Sequence, residues 1–314
     1  MEKGLKYRYD EIVLNVRNIV ERINIEGICL TNYPLDQHTT FKVGGPAELC
    51  IRPKSVAELQ TVLKVLYSDN IRPQILGGGA NVVISDKGLD GVVILTDLLV
   101  GIRMEKDHII ALAGTPVSDV CEYASENSLS GLEFIYRMPG TVGGAVWMNA
   151  RCYGSSIADV INWVEYFDTA GTLTQKNADD CMFDYKKSVF QENPWLITSC
   201  AFNLSPGDKD HIVDVMKKNE EDRYAKGHFK YPCAGSAFKN NRKFGKPTGQ
   251  IIDGLGLKGM RIGGAQVAPF HGNIIVNTGN ATAADVHNLV TRVREHVYRE
   301  TGFDLEPEIV FLGF

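Results

Sequence analysis

The chain has 314 residues, which is enough for two domains that each bury a sizeable core. Its apolar fraction of 44%, charged fraction of 23% and net charge of −5 are ordinary for a globular protein and give no reason to expect nucleic acid or an anionic membrane as partner. The seven cysteines (Cys29, Cys50, Cys121, Cys152, Cys181, Cys200, Cys233) are odd in number, scattered and never spaced C-x-x-C, which argues against a disulfide framework and a zinc site and for a reducing cytoplasm.

No apolar run approaches the ~20 residues of a membrane span. The N-terminal MEKGLKYRYDEIV lacks the apolar centre of a signal peptide. Asp10 to Arg22 reads as a first helix, with Ile12, Val13, Val16, Ile19 and Val20 on one face. Ser55 and Glu58 form a capping box ahead of a second amphipathic helix carrying Leu59, Val62, Leu63 and Leu66. Pro73 to Leu76, Val92 to Leu95 and Ile109 to Ala113 read as strands, and Val117 to Glu126 as a short helix. Trp163 to Phe167, Leu173 to Gln175 and Trp195 to Phe202 are further strands. The loop chemistry of Leu204 to Asp208 marks a domain boundary, dividing the chain into 1–206 and 207–314. Beyond it a polar helix spans Lys209 to Arg223 and a short helical segment lies near Gln250 to Leu255. A long amphipathic helix begins at Thr282, capped by Asp285, with Val286, Leu289, Val290, Val293 and Val297 as its buried stripe and Gly302 at its C′ position. Leu305 to Leu312 reads as a final strand.

Two glycine-rich runs stand apart from this pattern. Leu76-Gly77-Gly78-Gly79-Ala80-Asn81 follows a strand, and Pro139-Gly140-Thr141-Val142-Gly143-Gly144-Ala145 is followed by Asn149; no helix or strand rule selects the second run. Such runs are costly to order, and their return is bare backbone N–H that a phosphate or flat ring can approach. Neither is a Walker loop, since no Gly-Lys-Ser/Thr follows, and G-x-G-x-x-G is absent. Together they point to a large phosphate-bearing cofactor.

The motifs then become specific. His38 to Ala47, the triple-glycine run to Asp86, Gly131 to Tyr136, Pro139 to Asn149, Gly235-Ser-Ala-Phe-Lys-Asn240, Gly256 to Met260, Ile262 to Ala265 and Leu305-Glu-Pro-Glu308 occur in one order. In this the chain resembles the bacterial UDP-N-acetylenolpyruvoylglucosamine reductases, and its short stretch between Asn240 and Gly256 resembles the shorter of that family's two types. The resemblance implies an α+β protein: a two-lobed FAD-binding domain of the vanillyl-alcohol-oxidase (PCMH) type over 1–206, and a smaller α/β substrate-binding domain over 207–314 whose last strand returns towards the flavin. It implies non-covalent FAD, cradled by Gly77, Gly78, Gly79, Ala80, Asn81, Gly140, Thr141, Gly143, Gly144 and Asn149, and NADPH as co-substrate. It implies no metal, and a cytoplasmic monomer acting on a small molecule.

The implied reaction passes hydride from NADPH through the flavin to C3 of an enolpyruvyl ether, and a proton to C2. Ser236 matches the family's proton donor and Glu308 its enolate-stabilising acid. The family shows Tyr-Arg-x-Ser where this chain has Tyr185-Lys186-Lys187-Ser188, so Lys186 keeps the cation but lacks the bidentate fork. Lys226, ten positions before Ser236, matches a lysine used near the diphosphate, with His228 where a proline is usual. Asn240 and Tyr153 match substrate-binding positions. His271 and Asn273 lie in a family-like His-x-Asn context. Arg137 and Arg151 replace small residues; three readings stand for them: surface charges, extra phosphate ligands or a drifted site. Two other functions fit the same motifs: a different flavin oxidoreductase, or a catalytically weak paralogue.

Overall fold

The structure, a computed structural model, describes residues 16–314. Of the helix read over Asp10 to Arg22, residues 10–15 lie outside the described residues, and 16–23 are helical. Val56–Ser68 follows Ser55, whose side chain accepts from the Glu58 N–H. The capping box is only half closed, because the Glu58 carboxylate accepts from the Lys54 N–H rather than from Ser55. Helix Val117–Glu126 has the expected bounds.

Two sheets flank the first half of the chain. One runs in the order Cys29–Pro34, Pro46–Ile51, Leu89–Leu95, Gln74–Leu76, with the last two junctions parallel. The other is antiparallel, in the order Leu173–Asn177, Ile161–Phe167, Leu196–Asn203, His108–Leu112, Ile102–Glu105. A single apolar cluster joins the two through Leu49, Ile94, Ile109, Val164 and Phe202, with Leu59 and Val120 from the helices. A third, antiparallel sheet comprises Cys233–Ser236, Ile274–Asn277, Ala265–Val267 and Arg261–Ile262. Helix Ala283–Thr301 covers it with Val286, Leu289, Val290, Val293 and Val297. Thr282 is the N-cap of that helix, and Asp285 closes the box from N3.

Three further sequence readings need correction. The second glycine run contains a short helix, Val142–Trp147. Gly143 and Gly144 disfavour it by about 1 kcal/mol each, but the Gly143 N–H is held by the Ala113 carbonyl (2.8 Å) and the Val142 N–H by Thr115 (2.9 Å). The final strand is only Val310–Leu312. Pro307 has no N–H for a ladder, and Phe238 and Pro307 make an isolated bridge instead. The loop at 204–208 is a chain boundary but not a packing boundary. Helix Lys209–Ala225 buries Ile212 and Met216 in the N-terminal cluster, while the C-terminal cluster takes up residues from Ala234 onward, together with Phe41, Val43 and Val83.

Val310–Leu312 pairs in parallel with Val82–Ile84, so the last segment crosses back to the first half. The side-chain amide of Asn81 donates to the Glu308 carbonyl (2.9 Å), and the Asn81 carbonyl accepts from Val310 (2.9 Å). Asp86 fastens the same junction by accepting from the N–H groups of Ala283 and Ala284.

The glycine loops set a packing limit. A Cβ on Gly78 would lie 2.9 Å from the Gly140 Cα, and one on Gly79 (φ +60°) would lie 2.0 Å from the His38 carbonyl oxygen. Gly79→Ala therefore forces backbone to move, and we expect a loss of about 3 kcal/mol or more in denaturant unfolding. Gly91 also has positive φ (+80°) but meets nothing within 4 Å. Gly91→Ala should cost only the left-handed penalty of ~1–2 kcal/mol. Equal losses at the two positions would show that loop contact is not the cause.

Candidate active site

The two glycine loops meet at the floor of a cavity of about 970 Å³, the size of a cofactor or drug-sized ligand site. Gly77, Gly78, Gly79, Ala80 and Asn81 line it from one side, and Gly140, Thr141, Gly143 and Gly144 from the other. Gly144 has only Thr141 Oγ1 near its Cβ position (3.7 Å), so bare backbone faces the space there. The Thr141 hydroxyl is buried without a hydrogen-bond partner, a condition that folded proteins rarely leave unsatisfied. Bare backbone and an unused hydroxyl fit a phosphate-bearing cofactor such as FAD.

The same cavity is lined by Lys186, Ser236 and Glu308. Their positions follow from local hydrogen bonding. The strand Cys233–Ser236 is joined to the returning segment by the Glu308 N–H, which donates to Ala237 (2.9 Å), and the Lys239 N–H, which donates to Glu306 (2.9 Å). Asn273 grips Phe238 at both backbone groups (3.0 and 2.8 Å) and so steadies the stretch after Ser236. Thr40 ties Cys233 to the first half at 2.6 Å. Lys186 sits in a tight turn with φ +56°, closed by Asp184 and Lys187 bonding each other's backbone. Gln191 donates to the Lys186 carbonyl (3.0 Å) and to Trp147 (2.9 Å), which fixes the turn on the end of the short helix. Lys186 Nζ then lies 2.6 Å from Glu308 Oε1, with both side chains largely shielded from water. Removing both charges from water is costly, and their pairing with each other offsets that cost.

Other residues singled out in the sequence stand elsewhere. Asn149 is buried but does not line the cavity; its amide donates to the Asp184 carbonyl and its oxygen accepts from Ala158. Through Asp184 it braces the Lys186 turn. Lys226, Asn240 and Tyr153 also lie outside the lining. Lys226 pairs with Asp222 (2.6 Å), Asn240 accepts from Thr248 (2.8 Å), and the Tyr153 hydroxyl donates to Asp222 (2.7 Å). Arg137 is a surface charge, paired with Glu220 at 2.7 Å. Arg151 is exposed at the cavity and donates to the Gly154 carbonyl.

Gln191, Thr40 and Arg223 were not anticipated. A glutamine or threonine that serves backbone carbonyls leaves no pattern in sequence. Arg223 lies in a polar helix, where nothing distinguishes a buried cation from a solvated one.

Comparison with known proteins gives a consistent result. A family model described as the UDP-N-acetylenolpyruvoylglucosamine reductase C-terminal domain matches residues 227–312, and an FAD binding domain matches residues 47–176. The UDP-N-acetylenolpyruvoylglucosamine reductase of Borreliella burgdorferi is 39% identical over 96% of this chain and 99% of its own. That of Treponema denticola is 43% identical over 89% of this chain and 92% of its own. The crystal structure of the Thermus caldophilus UDP-N-acetylenolpyruvylglucosamine reductase superposes with a TM-score of 0.77 at 32% identity, covering 90% of this chain and 98% of that one. The grass-pollen glucose dehydrogenase Phl p 4 shares only the fold, at 13% identity and a TM-score of 0.50 over 62% of this chain.

Cations crowd one wall of the cavity. His228 lines it, and its pKa is held down to about 4 by burial, by Arg223, and by His271 and Lys226. Burial and Lys226 also lower the pKa of His271. An unfolded His228 would bind its proton near pH 6.5, and the folded one only near pH 4. Between those values the unfolded chain holds more protons, so stability must fall as pH drops from 6.5 towards 4. We expect thermal melts at pH 7, 6 and 5 to show this decline, and His228→Gln to flatten it. A parental slope retained in His228→Gln would assign the decline to other groups.

Proposed function

The chain belongs to the UDP-N-acetylenolpyruvoylglucosamine reductase family, and from that premise we propose the roles of its residues. The protein is an FAD-dependent oxidoreductase of peptidoglycan precursor synthesis, reducing the enolpyruvyl ether of UDP-N-acetylglucosamine at the expense of NADPH. FAD, when bound, supplies the hydride relay between the two substrates.

This chain's residues manage charge and protons. Addition of hydride at C3 leaves negative charge over C2 and the adjoining carboxylate. Lys186 offers that charge a preorganised cation. The substrate carboxylate competes with Glu308 for Lys186; Glu308, released from that pair and protonated from solvent, then donates a hydrogen bond to the enolate oxygen. Ser236 hands its hydroxyl proton to C2 and recovers one from solvent, so that no alkoxide is left. The observation that carries this reading is the meeting of Lys186, Glu308 and Ser236 in one cavity above the glycine loops. Gly77 to Asn81, Gly140 to Gly144 and Asn149 are the proposed FAD holders, and Asn149 also braces the Lys186 turn through Asp184. Lys226, Asn240 and Tyr153 are retained as substrate residues only through a rearrangement of the hydrogen bonds that now engage them. The substrate-binding portion from residue 207 onward works with a helix, Lys209–Ala225, that packs on the N-terminal core. We further propose a cytoplasmic monomer, as the family resemblance implies; the scattered cysteines favour a reducing compartment.

The direct test is spectroscopic. The purified protein should be yellow, NADPH should bleach it, and enolpyruvyl-UDP-N-acetylglucosamine should restore the colour. Colourless protein that cannot be reconstituted with FAD would overturn the reading. Ser236→Ala should leave flavin reduction by NADPH intact and slow the second half-reaction by roughly 10²–10⁴-fold. Equal slowing of both half-reactions in stopped flow would give Ser236 a structural role. Lys186→Ala should lose roughly 2–4 kcal/mol of transition-state stabilisation in kcat/KM, whereas Lys186→Arg should match or exceed the parent. Parental turnover in Lys186→Ala would make this cation a bystander.

A further inference from the structure

Ser236 ends the strand Cys233–Ser236 and lines the cavity, and among the described residues no hydrogen bond holds its hydroxyl. Its direction is therefore set by its backbone. From Cys233 opposite Val276 to Ser236 opposite Ile274, the strand takes three steps where its partner takes two. The extra residue is a β-bulge, and Gly235 supplies the left-handed backbone that such a bulge uses (φ +70°), with nothing within 4 Å of its Cβ position. Glycine is needed there for its conformation rather than for space.

The bulge decides which way Ser236 points. Residues directly opposite each other share a face of a sheet, and so do residues two apart on one strand. Val276 and Ile274 thus share a face, where Cys233 packs beside them. The bulge brings Ser236, three residues after Cys233, onto that same face. Ala234 and Ala237 point the other way, into the C-terminal core. Without the bulge Ser236 would turn towards that core and away from the reaction.

Both sides of the bulge are pinned. Downstream, the Ala237 N–H donates to the Asn273 carbonyl (2.8 Å) and Asn273 holds Phe238. Upstream, the Cys233 carbonyl accepts from the Thr40 hydroxyl at 2.6 Å. Thr40 has one hydroxyl proton, and the Gly79 carbonyl, 3.4 Å from the oxygen, competes for it poorly. The Thr40 N–H serves Gly79 instead (3.1 Å). One residue of the first half thus clasps the glycine floor with its backbone and the Ser236 strand with its side chain. Among the described residues, this is the only hydrogen bond that residues 233–236 make with the first half.

We propose that Thr40 is a positioning residue for proton delivery, given the donor role of Ser236 on which this rests. Its hydroxyl fixes the Cys233 side of the bulge over the glycine floor and so keeps the Ser236 hydroxyl facing the cavity. Thr40 acts through the strand and not on the reacting atoms.

The test uses the FAD-loaded protein, its Thr40→Val, Thr40→Ser and Ser236→Ala variants, and Thr40→Val combined with Ser236→Ala. Stopped flow follows flavin reduction by NADPH and re-oxidation by enolpyruvyl-UDP-N-acetylglucosamine, and flavin fluorescence follows FAD dissociation. Thr40→Val keeps the side-chain shape and loses the hydroxyl. It should slow re-oxidation by roughly 10- to 100-fold, the scale of a small misplacement at a reacting centre. FAD affinity and flavin reduction should stay within about threefold of the parent, since neither uses the Ser236 proton. Thr40→Ser restores the donor and should bring re-oxidation back to within about threefold of the parent. In the Ser236→Ala background Thr40→Val should add less than about threefold, because no hydroxyl is left to aim. Three results each overturn the role of Thr40: parental re-oxidation in Thr40→Val, weakened FAD binding or equal slowing of both half-reactions, and a full further loss in the Ser236→Ala background. Parental re-oxidation in Ser236→Ala would remove the role of Ser236 itself, and that of Thr40 with it. If Thr40→Val fails to fold, Thr40→Ala removes the same donor with less bulk and is judged by the same outcomes.

Discussion

Two backbones touch at the floor of the cavity, and the rest of the site is arranged around that contact. At Gly77, Gly78 and Gly79 any side chain would run into Thr141, Gly140 or His38. The glycines are therefore required twice, once for the ligand that approaches them and once for the protein that packs behind them. A phosphate could be cradled by other means, but two loops cannot approach this closely with Cβ atoms present. The short helix that begins at Val142 exists because this contact presents its first N–H groups to Thr115 and Ala113. Its far end, in turn, carries the carbonyl of Trp147 on which Ser188 and Gln191 anchor the Lys186 turn.

Charge enters this frame from a distance in sequence. Glu308 arrives on a segment laced to Ala237 on one side and to Asn81 on the other. Lys186 arrives on a turn held by Asn149 and Gln191. Neither side chain is placed by its own neighbours in the chain; each is placed by hydrogen bonds to backbone groups far away. Such bonds specify geometry more than they add stability.

Legibility in the sequence follows the range of the interactions. Val117–Glu126 and Ala283–Thr301 were readable because burial of one helix face repeats every three or four residues. Cys29–Pro34 and the C-terminal strands from Cys233–Ser236 to Ile274–Asn277 were not, being short and defined by partners rather than by alternation. The helix Val142–Trp147 was hidden by its glycines. Ser236, Glu308 and Lys186 were visible only through motif resemblance, since no spacing rule links residues that meet by topology. The bond from Asn149 to Asp184, which braces the Lys186 turn, lay outside what that route could show. Arg223 lay outside it too, since the helix that carries it reads as polar throughout and its burial comes from Phe134 and Tyr153, which lie far off in sequence.

The crossing of Val310–Leu312 onto Val82–Ile84 has a consequence for the order in which a nascent chain matures. Synthesis runs from the N-terminus, and domains fold as their residues emerge. The loops that form the cavity floor are both available once residue 144 has appeared. The acid at position 308 is joined to Asn81, 227 positions earlier in the chain, a closure whose entropy cannot be recovered until the late segment exists. The polypeptide thus completes the glycine floor of the cavity well before it acquires Glu308.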